Sequence, residues 1–301
     1  MTSNFTNIST SGHPPPSSSG VSRVAPAVFL SLCFLVGFPG NLAVIICKPN
    51  WQNLSSLNQS LMMNLALSDL LCLCTTPFWI YDEFTWTLGR VMCKIVSFLT
   101  CCSLYSSLLT VTALSVQRYM QVIHQQRCLM FKNGLLALLW LTSILLSVPA
   151  LIFRQEMKYQ QYSSCDQNYT YAEQEVVVLV TECFIVLSSY IIISCAYIFL
   201  NRKLNQAVLF NNASTSRLLT SIIVKCFVLW TPYFVFNVVS VVGILTKNVR
   251  IVHFYDFGFG LFSSITFINS CLNPLLYGFA LGICHRNTNS NNAELNTAAD
   301  T

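Results

Sequence analysis

Charge is what this 301-residue chain has least of: 9% of its residues are Asp, Glu, Lys or Arg, against roughly 25% in ordinary globular proteins. So few charges cannot cover a water-facing surface. The chain also lacks any run of five or more Lys and Arg, and its formal net charge is only +5, which excludes nucleic-acid binding through a basic patch. It has no nucleophile elbow, no metal-ligand helix signature and no phosphate-cradling Gly-rich loop, so no enzymatic chemistry is expected of it. The first residues lack the charged and compact apolar regions of a cleavable signal peptide. What it has instead is 54% apolar and 13% aromatic residues and a mean hydropathy of +0.58. An outside that faces lipid follows, and disordered, collagen-like or simple cytosolic proteins are excluded.

A helix needs about 20 mainly apolar residues to cross the hydrocarbon core, because each backbone N–H and C=O must find its partner within the segment. Seven stretches qualify, at 24–47, 57–81, 90–122, 134–153, 176–200, 217–245 and 251–281. The expected fold class is an all-α membrane protein, a seven-transmembrane helix bundle, with its termini on opposite sides. Residues 1–23 are rich in Ser, Thr, Asn and Pro and are expected to form a disordered extracellular N-terminus, glycosylated at the sequons of Asn4 and Asn7. Residues 24–281 form the bundle, and 282–301 a short cytoplasmic tail in which Cys284 is a candidate for palmitoylation. Lys and Arg divide almost evenly between the two sides. The acids do not: with the N-terminus outside, Asp82, Glu83, Glu156, Asp166, Glu173 and Glu175 all fall outside, and the three inner loops hold none. No internal repeat of the transporter kind is present.

Ionisable groups in a bilayer are costly, so each one marks a functional hypothesis with a partner to be named. Asp69 lies midway along the second span, at a depth reachable by Asn41, Ser107, Asn269, Ser270 and Asn273. Polar glue between helices and a buried monovalent-cation site are both open readings. Prolines at Pro77, Pro149, Pro232 and Pro274 favour kinks. Of the fourteen cysteines, most lie in apolar stretches and read as small packing residues. Cys93 and Cys165 are the best-placed outer pair for a disulfide, which would fold the acidic loop across the mouth of the bundle. A small transporter or channel, with Asp69, Glu182, Lys225 and Asp256 marking a polar path, is the rival reading from another class.

Ordered along the spans are Gly40-Asn41, Leu65-Ala66-Leu67-Ser68-Asp69, Trp86-Thr87-Leu88-Gly89 before Cys93, Arg118-Tyr119, Trp140, Trp230-Thr231-Pro232-Tyr233 and Asn273-Pro274-Leu275-Leu276-Tyr277. In that order and at those depths they resemble the rhodopsin-like (class A) G-protein-coupled receptors over almost the whole chain. The resemblance implies a plasma-membrane receptor that binds a ligand outside and activates a heterotrimeric G protein, of the inhibitory type, inside. It makes Asp69, Ser107, Asn269, Ser270 and Asn273 a sodium pocket and so implies a structural sodium ion; no other cofactor is expected. Trp230 above Pro232 becomes the switch residue, Tyr197 and Tyr277 hold the open inner face, and Arg118 contacts the G protein.

The chain departs from the family pattern in several places. Gln117 stands where an acid normally precedes the Arg, no acid lies near Asn212, Ser189 replaces a Pro, Cys226 replaces a Phe, and Gln125 and Gln126 follow the third span. Lys225 puts an ammonium where the class has an apolar residue. It either reaches toward Asp69 and fills the sodium position with its own charge, or snorkels to the inner interface.

Within the class, residues 103–115, Pro149-Ala150-Leu151-Ile152-Phe153-Arg154 and 230–237 are similar to leukotriene B4 receptors. The implied ligand is an amphipathic lipid with a carboxylate and two hydroxyls. Arg154 is the expected carboxylate partner, since a guanidinium can pair bidentately, and Tyr105, Glu182 and Asn237 are expected to meet the hydroxyls. Arg154 as a snorkelling residue and Tyr105 as ordinary packing are the alternatives. At the level of function, the alternatives are a peptide or chemokine-type chemoattractant receptor and a weakly signalling decoy.

Overall fold

The computed structural model of the chain describes residues 20–47, 55–123, 132–158, 162–206, 213–251, 254–255 and 264–274. The helices are α1 (Gly20–Cys47), α2 (Ser56–Asp82), α3 (Gly89–Ile123), α4 (Lys132–Phe153), α5 (Ala172–Gln206) and α6 (Ala213–Leu245). Among the described residues six helices are thus long and apolar enough to cross a membrane. A seventh, α7, is described at 264–274, with helical residues at 249–251 and 254–255 ahead of it. The bounds of α1 to α6 lie within a few residues of the hydropathy reading, because length and apolarity are what select a span.

The helices divide into central and lipid-facing ones. In the most apolar stretches of α2 and α3, 61% and 67% of residues are buried, against 17% in α4. The reason is written in composition: α3 carries Ser97, Thr100, Ser103, Ser106, Ser107, Thr110 and Ser115, all buried, and small hydroxyl residues let helices approach closely and bond across the gap. α3 touches α2, α4, α5 and α6. α4 turns Leu138, Leu141, Leu145 and Ile152 outward. Asn64 joins three helices, its amide donating to Thr110 Oγ1 at 2.7 Å while its oxygen accepts from Trp140 Nε1 at 2.8 Å.

α1 lies against α7 with almost no room between them. A Cβ on Gly37 would meet Cys271 Cβ at 2.7 Å and its Cα at 2.9 Å, and one on Gly40 would meet Pro274 Cβ at 2.7 Å. Pro77, Pro149 and Pro232 sit inside α2, α4 and α6, and α1 holds Pro26 and Pro39 as well. α4 runs on past Pro149, and Lys94 of α3 donates to the carbonyl oxygens of Leu151 and Ile152, which the end of a helix leaves without a partner.

The acidic segment after α4, expected as a loop, is an antiparallel hairpin: β1 (Arg154–Lys158) pairs with β2 (Ser163–Gln167), Glu156 opposite Cys165. Pairing satisfies backbone groups that an open loop would leave to water. Alternation of apolar and polar residues, the usual strand signal, is absent from Arg154-Gln155-Glu156-Met157-Lys158, so the sequence concealed it.

Candidate functional site

One end of the bundle is closed by the hairpin. Cys93, at the start of α3, is bonded to Cys165 of β2, with Cα atoms 5.5 Å apart. Asp82, the last residue of α2, accepts from the backbone N–H of Cys165 at 2.9 Å, and the backbone N–H of Trp86 donates to Ser163 O at 2.7 Å. The Trp86 ring is fully buried and its indole N–H donates to Gly89 O. Gly89 has φ +79°, a left-handed conformation that a side chain would strain. Three covalent or polar ties therefore fix the hairpin to α2, the turn and α3.

Arg154, the first residue of β1, is anchored in this frame. Its Nη1 donates to Cys165 O at 2.8 Å, and its guanidinium carbon lies 5.5 Å from the centre of the Trp79 ring, a favourable cation–π arrangement. Trp79 is held by its own indole N–H on Thr100 Oγ1 at 2.9 Å. Beyond β2, Tyr169 packs on Phe153 with ring centres 4.8 Å apart, and its hydroxyl donates to Gln167 Oε1. Burial, then the neighbouring Glu182 charge, pushes the Tyr169 hydroxyl above its ordinary pKa.

Toward the same end, Glu182 of α5 accepts hydrogen bonds from two other helices. Tyr233 Oη donates to Oε2 at 2.7 Å, Asn237 Nδ2 to the same oxygen at 2.9 Å, and Tyr105 Oη to Oε1 at a longer 3.4 Å. The sequence residues Tyr105, Glu182 and Asn237 are thus brought together. Tyr233 was missed as their partner, although it stands one helical turn before Asn237 on the same face. Asn237 is 1% exposed and its Oδ1 has no hydrogen-bond partner among the described residues.

A second polar cluster lies deeper. Asp69 accepts from Ser107 Oγ at 3.2 Å on one oxygen and from Asn273 Nδ2 on the other. Asn269 Nδ2 donates to Ser107 Oγ at 3.1 Å, and Asn41 Nδ2 donates to the Ser270 and Gly37 carbonyls. Into this cluster comes Lys225 of α6, 9% exposed, donating to Asn269 O at 2.8 Å and to Asn273 Oδ1 at 2.5 Å. One amide, Asn273, therefore lies between the ammonium and the carboxylate.

The sodium ion expected on Asp69, Ser107, Asn269, Ser270 and Asn273 would meet a cluster that already holds the Lys225 ammonium. Both Asp69 oxygens and Asn273 Oδ1 already accept hydrogen bonds, and a second cation would share a buried cluster with an ammonium. Among the described residues Asn41 Oδ1, Asn269 Oδ1 and Ser270 Oγ are without hydrogen-bond partners there.

The remaining candidates are placed as follows. Trp230 is buried, edge-on to Tyr233 at 6.1 Å, and its indole N–H has no partner among the described residues. Pro232 follows it within α6. Arg118 and Gln117 are buried near the opposite end of α3, and Arg118 Nε has no partner among the described residues. Tyr197 is exposed. Tyr277, Asp256, Cys284, Asn4, Asn7, Gln125, Gln126 and Asn212 lie outside the described residues.

A bundle of this order, with a disulfide-tied hairpin over one end and a polar cluster around an α2 carboxylate, can be set beside known proteins. Residues 40–277 match the family model described as the 7 transmembrane receptor (rhodopsin family). The chain belongs to that family: it is a G-protein-coupled receptor and a multi-pass membrane protein, not an enzyme. It is 27% identical to the type-1 angiotensin II receptor A of Xenopus laevis over 85% of this chain and 76% of the relative. It is 29% identical to chemokine XC receptor 1 of Mus musculus, over 86% of this chain and 80% of the relative. It is also 29% identical to G-protein coupled receptor E1 of equine herpesvirus 2, over 86% of this chain and 71% of the relative.

Proposed function

We propose that this receptor takes an amphipathic carboxylate lipid of the leukotriene B4 kind at the hairpin end of the bundle and activates a heterotrimeric G protein of the inhibitory type at the other. The observation that carries the reading is the pairing of one anchored guanidinium, Arg154, with a separate hydrogen-bonding group around Glu182. A hydroxylated fatty acid needs one cation for its carboxylate, apolar length, and a few polar groups to fix its hydroxyls. Asn237 Oδ1 offers an unused acceptor beside the Glu182 carboxyl. The hairpin end faces the outside of the plasma membrane, where the Cys93–Cys165 disulfide is stable, and the N-terminus with Asn4 and Asn7 lies on that side. Ligand contact with Tyr233 biases Trp230 and the bend at Pro232, and Arg118 meets the G protein at the opposite end, with Tyr197 and Tyr277 holding that face open.

A peptide or chemokine-type ligand is the second reading, favoured by the names of the relatives, which include an angiotensin II receptor and a chemokine receptor. The test is ligand-stimulated nucleotide exchange on an inhibitory-type G protein, with leukotriene B4, angiotensin II and a chemokine panel run side by side. Arg154→Ala is expected to weaken leukotriene B4 by about 1.5–3 kcal/mol, the range for a charged hydrogen bond, and the methyl ester to lose little more in that variant. Additive penalties mean that the two groups do not meet; a response to peptides alone refutes the lipid reading.

A further inference from the structure

The resemblance to class A receptors implies an exchangeable cation beside the α2 carboxylate, and here an ammonium already stands in that cluster. We propose that the Lys225 ammonium is the resident cation of the Asp69 site, a tethered group that replaces an exogenous sodium ion and clamps α6 to α7 and α2.

Geometry excludes the alternative in which the side chain runs to the membrane interface. Lys225 is buried and both its hydrogen bonds, to Asn269 O and Asn273 Oδ1, point into the bundle. The cluster it enters is supplied by three other helices: Asp69 from α2, Ser107 from α3, and Asn269 and Asn273 from α7. Among these side chains the formal charges are one carboxylate and one ammonium, so the cluster is neutral without any added ion. A further cation would leave it with an uncompensated charge away from water, which is costly. The Asn273 amide relays the pairing, accepting from Lys225 through oxygen and donating to Asp69 through nitrogen.

Tethering matters, because a free ion can leave when the helices move and a side chain cannot. For the Lys225 end of α6 to swing away from α7, both ammonium hydrogen bonds have to break. No acid next to Arg118 and none on α6 offers another tie between the inner ends of α3 and α6: the residue before Arg118 is Gln117, and α6 contains no Asp or Glu.

The test needs no ligand and is therefore independent of the lipid reading. Purified full-length receptor is unfolded thermally in sodium chloride and in N-methylglucamine chloride at matched ionic strength. The wild type is expected to give the same midpoint in both, and Lys225→Met a midpoint that rises with sodium along a saturating curve. A saturating, sodium-specific rise in the wild type overturns the proposal, as does a Lys225→Met variant indifferent to sodium. If Lys225→Met does not fold, the doubly neutral Lys225→Met/Asp69→Asn variant is compared with Asp69→Asn alone. Recovery of folded receptor by the second substitution supports the pair, and no recovery overturns it.

Discussion

Replacing Glu182 should separate hydrogen-bond geometry from simple bulk. Glu182→Leu keeps an apolar side chain of similar reach and strands three donors, the hydroxyls of Tyr233 and Tyr105 and the amide of Asn237. Bonds to a charged group are worth about 1.5–3 kcal/mol each in soluble proteins. Interhelical hydrogen bonds in a membrane protein average about 0.6 kcal/mol, because the reference state finds other partners. Two of the bonds are short, at 2.7 and 2.9 Å, and the third is long at 3.4 Å, so two full contributions and a weak third are expected. The loss then lies between about 1 and 6 kcal/mol, and the partly buried setting favours the lower half. Glu182→Gln behaves differently. Its one oxygen, placed where Oε2 stands, still accepts from Tyr233 and Asn237, and its NH2 donates to the Tyr105 oxygen, which can accept as well as donate.

The assay is thermal or denaturant unfolding of purified receptor in a double-mutant cycle. Glu182→Leu and Tyr233→Phe, singly and together, should show a coupling of at least about 0.6 kcal/mol, above the roughly 0.3–0.5 kcal/mol at which independent sites already add. Glu182→Gln should cost less than Glu182→Leu by a similar margin. If Gln is as damaging as Leu, or if Leu and Phe add without coupling, the argument from acceptor geometry is wrong.

At the α1–α7 contact, Gly37→Ala and Gly40→Ala should each destabilise by the roughly 1–3 kcal/mol of an overpacked core, Gly37 more, because its new Cβ would meet Cys271 backbone as well as side chain; a neutral Gly37→Ala in an unfolding assay contradicts the close approach. Cys165→Ser opens a crosslink spanning 72 residues, which the chain-entropy treatment values at about 4 kcal/mol, and should abolish surface expression or ligand binding; normal surface levels with normal binding refute that role.

The spans were legible because hydropathy is a one-dimensional signal and the lipid core imposes a length on it. Asp69, Ser107, Asn269 and Asn273 were legible as a set for a related reason: each is a polar residue at matching depth, and polar groups in a bundle must find one another. Tyr233 escaped notice because it reads equally well as part of the Trp-Thr-Pro-Tyr motif and as packing, and only its Oη on Glu182 distinguishes the two. The role of Asn64 as the junction of α2, α3 and α4 was hidden for the opposite reason, since the sequence does not say which of several hydroxyls and indoles face it. Lys225 sat between two readings until the direction of its side chain was known, and a flexible four-carbon stem carries no directional signal of its own.

The two clusters share α6, and that sharing limits how a ligand can act. Tyr233 and Asn237 lie on the hairpin side of Pro232 and bind Glu182 of α5; Lys225 lies on the far side and binds α7. Proline removes a backbone hydrogen bond at the boundary between them, so the two arms of α6 can bend relative to one another at lower cost than a continuous helix. A ligand shifts such an equilibrium only through a difference in affinity between its states, and moving it from 1:99 to 99:1 takes about 5.5 kcal/mol. Breaking two charged hydrogen bonds at Lys225 would cost between about 1 and 6 kcal/mol on the proposed clamp. The upper end of that range is about the size of the ligand's whole lever, so the clamp takes up a share of it, and the ligand must bind the Glu182 cluster better in one arrangement of α5 and α6 than in the other.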